Sequence, residues 1–156
     1  MKLKKYNRQK AIDYARKWAL GRNPLYHDYE NYGGDCTNFI SQCLHAGEIP
    51  FDVNGRDVTQ KWYWYSDQSR TPSWTSARPL KNYILNNNRE LSQNYGIYAK
   101  PCQYEELELG DLVQKTVNGE ITHTMMVTAR VFDKNGQLID YLVCQHSYDL
   151  LDFPLS

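Results

Sequence analysis

Between Cys36 and Leu44 the apolar positions fall at Cys36, Phe39, Ile40, Cys43 and Leu44, the i, i+3, i+4, i+7, i+8 spacing that turns one stripe of a helix toward a core. Asp35 stands at the N-cap position and Gly47 just past the last turn, so the pattern predicts a helix from Cys36 to His45. Upstream, Tyr6 to Leu20 carries Ala11, Ala15, Trp18 and Ala19 on one face and runs into Gly21 and the Asn23-Pro24 turn, which predicts a first helix. From Ile49 to Thr75 the pattern breaks into a long polar loop bearing Trp62, Tyr63, Trp64, Tyr65 and Trp74. Ser76 is placed to cap a short helix through Leu80, Tyr83 and Ile84, which Asn86-Asn87-Asn88 stops.

The period then changes from helical to strand-like. Leu112 to Lys115 reads as a short strand entered through Leu109-Gly110-Asp111, Asn118-Gly119 as a turn, and Thr122 to Phe132 as a long run of β-formers. Lys134-Asn135-Gly136 is a hairpin signal, and Leu138 to His146 is the returning strand. Helices first and antiparallel strands after predict an α+β domain. No repeat, low-complexity segment or linker divides the chain, so residues 1–156 are expected to form one domain.

Composition narrows the partners. Lys plus Arg and Asp plus Glu number 18 each, so no net charge argues for nucleic acid or an anionic membrane, and the basic residues Lys2, Lys4, Lys5, Arg8 and Lys10 read as the solvated start of a helix. The positive N-terminus is followed by no apolar run of signal-peptide type, and no segment reaches membrane-spanning length. The expected location is the cytoplasm, or the cell exterior and wall if an export segment precedes this chain. A monomer is expected. Four cysteines do not make a disulfide framework at this length, and Cys36 and Cys43, seven positions apart on one helix, cannot bridge.

The chemistry centres on Cys36. It opens a helix after Gly33-Gly34-Asp35, where unpaired backbone N–H groups and the positive end of the helix dipole stabilise a thiolate and could hold an oxyanion. Cys43, Cys102 and Cys144 read as ordinary core cysteines, and Cys36 joins them unless a base lies near. Of the four histidines, His27 and His45 sit beside turns with no partner implied, whereas His123 opens the strand THTMMVTAR and His146 ends YLVCQHS. A hairpin turning at Asn135-Gly136 brings those two strand ends together, and a Cys36 helix packed on that sheet would assemble a thiol, a base and an orienting group. Cys36, His123 and His146 would also make a zinc set, but no Cys-x-x-Cys or His-Glu-x-x-His spacing accompanies them, so neither metal nor cofactor is expected. Trp62 and Trp64 alternate with Tyr63 and Tyr65 and share one face, either as a platform for sugar or peptide or as the plug of a satellite core.

GGDCTNFISQCLHAG, the tryptophan loop, LELGDLVQ, ITHTMMVT and CQHSYDLLDFPLS together resemble the putative amidase domain family of bacteria, a relative of the NlpC-type and CHAP peptidoglycan hydrolases of the papain-like superfamily. The resemblance covers nearly the whole chain and is strongest at GGDCTNFISQ. It implies a papain-like (NlpC-like) fold, with N-terminal helices and the nucleophile helix packed on a small antiparallel sheet. It also implies Cys36 as nucleophile, His123 as general base and a third polar residue on the following strand, where His146 is the best match and Gln145 and Asp149 are near. Asp35, beside the nucleophile, is a candidate for meeting a substrate amine, and Trp64 a candidate for substrate contact. The expected function is a cysteine amidase or peptidase acting on cell-wall peptide or a related amide. A wall-binding module that has lost catalysis and an acyltransferase on the same fold are the alternatives.

Overall fold

The computed structural model describes residues 6–87 and 95–156. Two helices lead: α1 (Arg8–Trp18) and α2 (Cys36–Ala46). The Asn7 side chain caps α1 by accepting from the Lys10 N–H at 3.0 Å. Ala11, Ala15 and Ala19 are fully buried, and their small size lets α1 lie close against α2. The same closeness explains Gly47. It was expected to take the left-handed C′ conformation, but its φ is −77° and Glu48 takes the left-handed one at φ 73°. What Gly47 provides is room: a Cβ there would stand 2.6 Å from the Tyr6 ring and 3.0 Å from the Asn7 carbonyl, beside the 2.7 Å bond from the Asn7 N–H to the Gly47 carbonyl.

The expected apolar stripe of α2 is buried throughout, but so is its polar face. Thr37, Asn38, Ser41 and Gln42 are also covered, and each has a partner. Asn38 donates to the His27 carbonyl and accepts from the Trp74 indole, Ser41 donates to the Trp74 carbonyl and accepts from the Trp62 indole, and Gln42 accepts from the Tyr14 hydroxyl. A helix enclosed on all sides must have its polar atoms bonded, because each one left bare costs ~1–3 kcal/mol.

The covering layer is the expected loop, which has more structure than its composition predicts. It contains a 3-10 turn (Val58–Gln60), a hairpin of β1 (Trp64–Ser66) and β2 (Ser69–Arg70), and the short helix α3 (Pro72–Thr75) before α4 (Ala77–Asn86). Trp62 and Trp64 do share a face, but that face is the main core: Trp62 and Trp74 are fully buried with ring centroids 4.7 Å apart, and Trp64 packs against the same cluster. Asn88 of the expected helix stop and the lysines at positions 2, 4 and 5 lie outside the described residues.

The second half is an antiparallel sheet of β3 (Leu112–Val117), β4 (Glu120–Phe132), β5 (Leu138–Gln145) and β6 (Leu150–Pro154), in that spatial order. The mixed α+β order expected from periodicity is thus observed, with β6 and the β1–β2 hairpin added to it. One face of the sheet meets the helices: Met126 and Cys144 join Phe39, Ile40 and Cys43 in the main core. The other face carries a smaller cluster of Val127, Tyr141 and Leu107. No helix among the described residues is long and apolar enough to cross a membrane.

Candidate active site

Gly33 and Gly34, at φ 95° and 104°, deliver the chain to α2 in a conformation that L side chains rarely adopt. A Cβ on Gly34 would also stand 3.1 Å from the Ser147 hydroxyl. Ser147 holds this entry in place, accepting from the Asp35 N–H at 2.9 Å and donating to Glu30 at 3.0 Å. Cys36 therefore begins the helix where the loop, the sheet end and the β5–β6 turn meet.

The thiol lies on a cleft of about 520 Å³. Its pKa is set by opposed effects: burial raises it, while hydrogen bonding to His123, to the Thr124 backbone and to Thr37 lowers it. The net direction is down, toward thiolate at neutral pH. His123 on β4 shows the complement. Burial lowers its pKa, but hydrogen bonding and charge from Cys36, together with the Gln145 amide, outweigh burial, and the net direction is up. Both groups favour their charged forms because each supplies the other's counter-charge. Nε2 of His123 is buried and makes no hydrogen bond of good geometry to a described residue, as is true also of Nε of Arg22.

Gln145 rather than His146 faces His123, which corrects the expectation for the third residue. The register pairs Met126 with Cys144 and Val127 with Val143. Continued to the strand ends, it sets Thr124 opposite His146 and places the position opposite His123 one residue further on. Side chains alternate along each strand, so Gln145 shares the His123 face and His146 the Thr124 face. The Gln145 amide NH₂ donates to the Ser147 and Tyr148 carbonyls at 3.3 and 2.8 Å, leaving its carbonyl oxygen free to accept from an imidazole. Ser147 and Tyr148 both have positive φ, 60° and 66°, the tight turn that aims those carbonyls back at Gln145.

His146 is instead buried under α2. It stacks on Phe39 at 3.9 Å, its Nδ1 is 2.5 Å from the Asp35 carboxylate, and its Nε2 is 2.8 Å from the Trp18 carbonyl. Asp35 is corrected with it. The residue occupies the N-cap position but makes no side-chain cap, and it cannot meet a substrate. It is 1 % exposed, with its carboxylate bonded to the Tyr29 N–H, Asn38 and His146. Arg22 closes this cluster, its Nε 3.5 Å from Asp35 and its Nη atoms on Asp149 and Glu30. Since His146 is fully engaged here, the three side chains of the zinc alternative do not converge. Among the described residues no group of three or more His, Cys, Asp or Glu side chains is arranged to hold a metal ion.

The expected substrate contact at Trp64 is corrected as well. Trp64 stands behind the cleft and donates from its indole at 3.1 Å to the hydroxyl of Tyr29, and it is Tyr29 that lines the opening. Tyr29, Arg70 and His27 are cleft residues that sequence patterning did not single out. They come from loops and a two-residue strand, where periodicity carries no signal.

The family described as a putative amidase domain matches residues 5–156. The chain belongs to the putative amidase domain family. Two proteins of Bacillus subtilis (strain 168) are similar to it. The uncharacterized protein YhbB is 36% identical over 152 residues, 92% of this chain and 45% of YhbB. The uncharacterized protein YjcM is 31% identical over 163 residues, 97% of this chain and 33% of YjcM. The putative amidase domain chain thus spans less than half the length of either relative. No solved structure matches it.

Proposed function

We propose that this putative amidase domain is a cysteine-dependent amide hydrolase of NlpC-like, papain-like architecture, with Cys36 as nucleophile, His123 as general acid and base, and Gln145 as the residue that orients the imidazole. The observation that carries the reading is the placement of Cys36 at the start of α2 on the cleft lining, with His123 of β4 beside the thiol and Gln145 beside His123; the thiol pKa pushed down and the imidazole pKa pushed up agree with it. In the first step the Cys36 thiolate attacks the substrate carbonyl carbon and the carbonyl electrons move to oxygen. Backbone N–H groups in the first turn of α2, including that of Cys36, stabilise the oxyanion. The tetrahedral intermediate collapses as the C–N bond breaks and His123 gives its proton to the departing amine, leaving an acyl thioester. Water then attacks, His123 takes its proton, and the carboxylic acid leaves with the thiol restored.

The substrate in this reading is a peptide amide of bacterial cell wall or a related amide. Incubation with purified peptidoglycan, followed by mass spectrometry of the soluble fragments, tests it. Fragments carrying new carboxyl and amine ends, absent with Cys36→Ala protein, are expected. Fragments of the same kind from both proteins would overturn the assignment of Cys36.

A further inference from the structure

The cleft lined by Cys36 has a single arginine or lysine in its described lining, Arg70 at the end of β2. Its guanidinium is fixed from three sides. Nε donates to the Asp67 carbonyl at 3.0 Å, Nη1 donates to the Thr75 hydroxyl at 2.8 Å, and the group lies over the Tyr29 ring at 4.7 Å. Tyr29 is itself held, by the Trp64 indole and by packing that leaves it 4 % exposed. Asp67 is the adjacent carboxylate, 3.4 Å from Nε, on the edge of the guanidinium that the hairpin already occupies. The Nη2 group is not taken by a hydrogen bond to any described residue, and the Arg70 side chain keeps 32% of its surface. An arginine so anchored loses little rotamer freedom on binding, and its planar fork matches a carboxylate.

We propose that Arg70 selects the substrate of this cleft by receiving a carboxylate carried next to the scissile amide, an inference that rests on Cys36 marking the reacting end of the same cleft. The hairpin couples this arginine to the core: the Trp64 indole donates to the Tyr29 hydroxyl, and the Tyr29 ring lies under the guanidinium. The favoured substrate is an anionic peptide. Its carboxylate is either a free α-carboxyl end or an acidic side chain, and both present the same two oxygens to the fork.

The test is calorimetric titration of Cys36→Ser protein, which cannot turn the ligand over, with three acetylated tetrapeptides. The first is AQAA as its C-terminal amide, the second AQAA with a free carboxyl end, and the third AEAA as its amide. At least one carboxylate peptide should bind about tenfold tighter than the neutral one, as a charge-assisted pair predicts, and which of the two does so identifies the source of the carboxylate. Adding Arg70→Gln should bring the affinities together, and Arg70→Lys should restore part of the difference. Equal binding of all three, no binding of any, or a preference that survives Arg70→Gln overturns the proposal. Loss of the hydrolase reading would show separately, as peptidoglycan turnover unaffected by Cys36→Ala.

Discussion

Asp35 and Cys36 are neighbours in the chain, as are Gln145 and His146, yet each pair divides between two clusters of opposite character. On the cleft side, Cys36, His123 and Gln145 are loosely joined, with one buried imidazole nitrogen lacking a good partner and two pKa values displaced toward charge. Behind the helix start, Asp35, His146 and Arg22 tie the end of α1, the start of α2 and the β5–β6 turn together, with a partner for each Asp35 oxygen and each His146 ring nitrogen. The two clusters thus differ in how completely the imidazole is bonded: both ring nitrogens of His146 have partners, whereas Nε2 of His123 has none among the described residues, although Nε of Arg22 on the structural side also lacks a hydrogen bond of good geometry.

The strongest way to break this comparison is to delete a member of each side. Cys36→Ala should lower peptidoglycan release by at least about 10³-fold with little change in melting temperature, since the proposed nucleophile has no substitute. His146→Ala should do the reverse, costing roughly 2–4 kcal/mol of stability in denaturant unfolding by leaving the Asp35 carboxylate buried without its ring partner. If His146→Ala protein unfolds like the parent but loses turnover, the division is wrong.

Gln145→Ala sharpens the boundary, because it touches the residue next to His146 in the chain but on the other face. Turnover should fall about 10–100-fold, or ~1.4–2.7 kcal/mol of barrier, through loss of the group that holds the imidazole. Gln145→Asn should recover less than its chemistry alone allows, its amide being one methylene short.

A smaller effect concerns thiol reactivity. The thiolate is the alkylated form, so a pKa displaced downward carries Cys36 reactivity to lower pH, whereas Cys43, Cys102 and Cys144 are all displaced upward, burial being the first cause in each. Iodoacetamide near pH 6.5 should label Cys36 first, ahead even of the exposed Cys102. His123→Ala should move the midpoint of Cys36 alkylation upward, and an unmoved midpoint would separate the thiol from the histidine.

Several of these features were legible in the chain before any coordinates. The α2 pattern located Cys36 at a helix start after two glycines, and the hairpin signal at Asn135-Gly136 paired the strand that begins near His123 with the one that ends near His146. The tryptophan loop was harder. Its alternation put Trp62 and Trp64 on one face, but nothing in a single sequence says whether such a face meets solvent or a buried helix. The polar residues of α2 carried the missing information, since Asn38 and Ser41 bind the indoles of Trp74 and Trp62, and amphipathic patterning reads those residues as solvent-facing.

The choice between Gln145 and His146 shows where the division falls. Strand alternation, a property of local covalent geometry, dictates from sequence alone that these two side chains point to opposite faces, so one at most can orient His123. Which one does so depends on the register of β4 against β5, and that register passes through two irregularities, between Val127 and Ala129 and between Val131 and Phe132. An offset of one residue reverses every face. The hairpin signal at the turn does not specify where along the strands these irregularities fall, so the sequence determined the candidates and the tertiary structure alone decided between them.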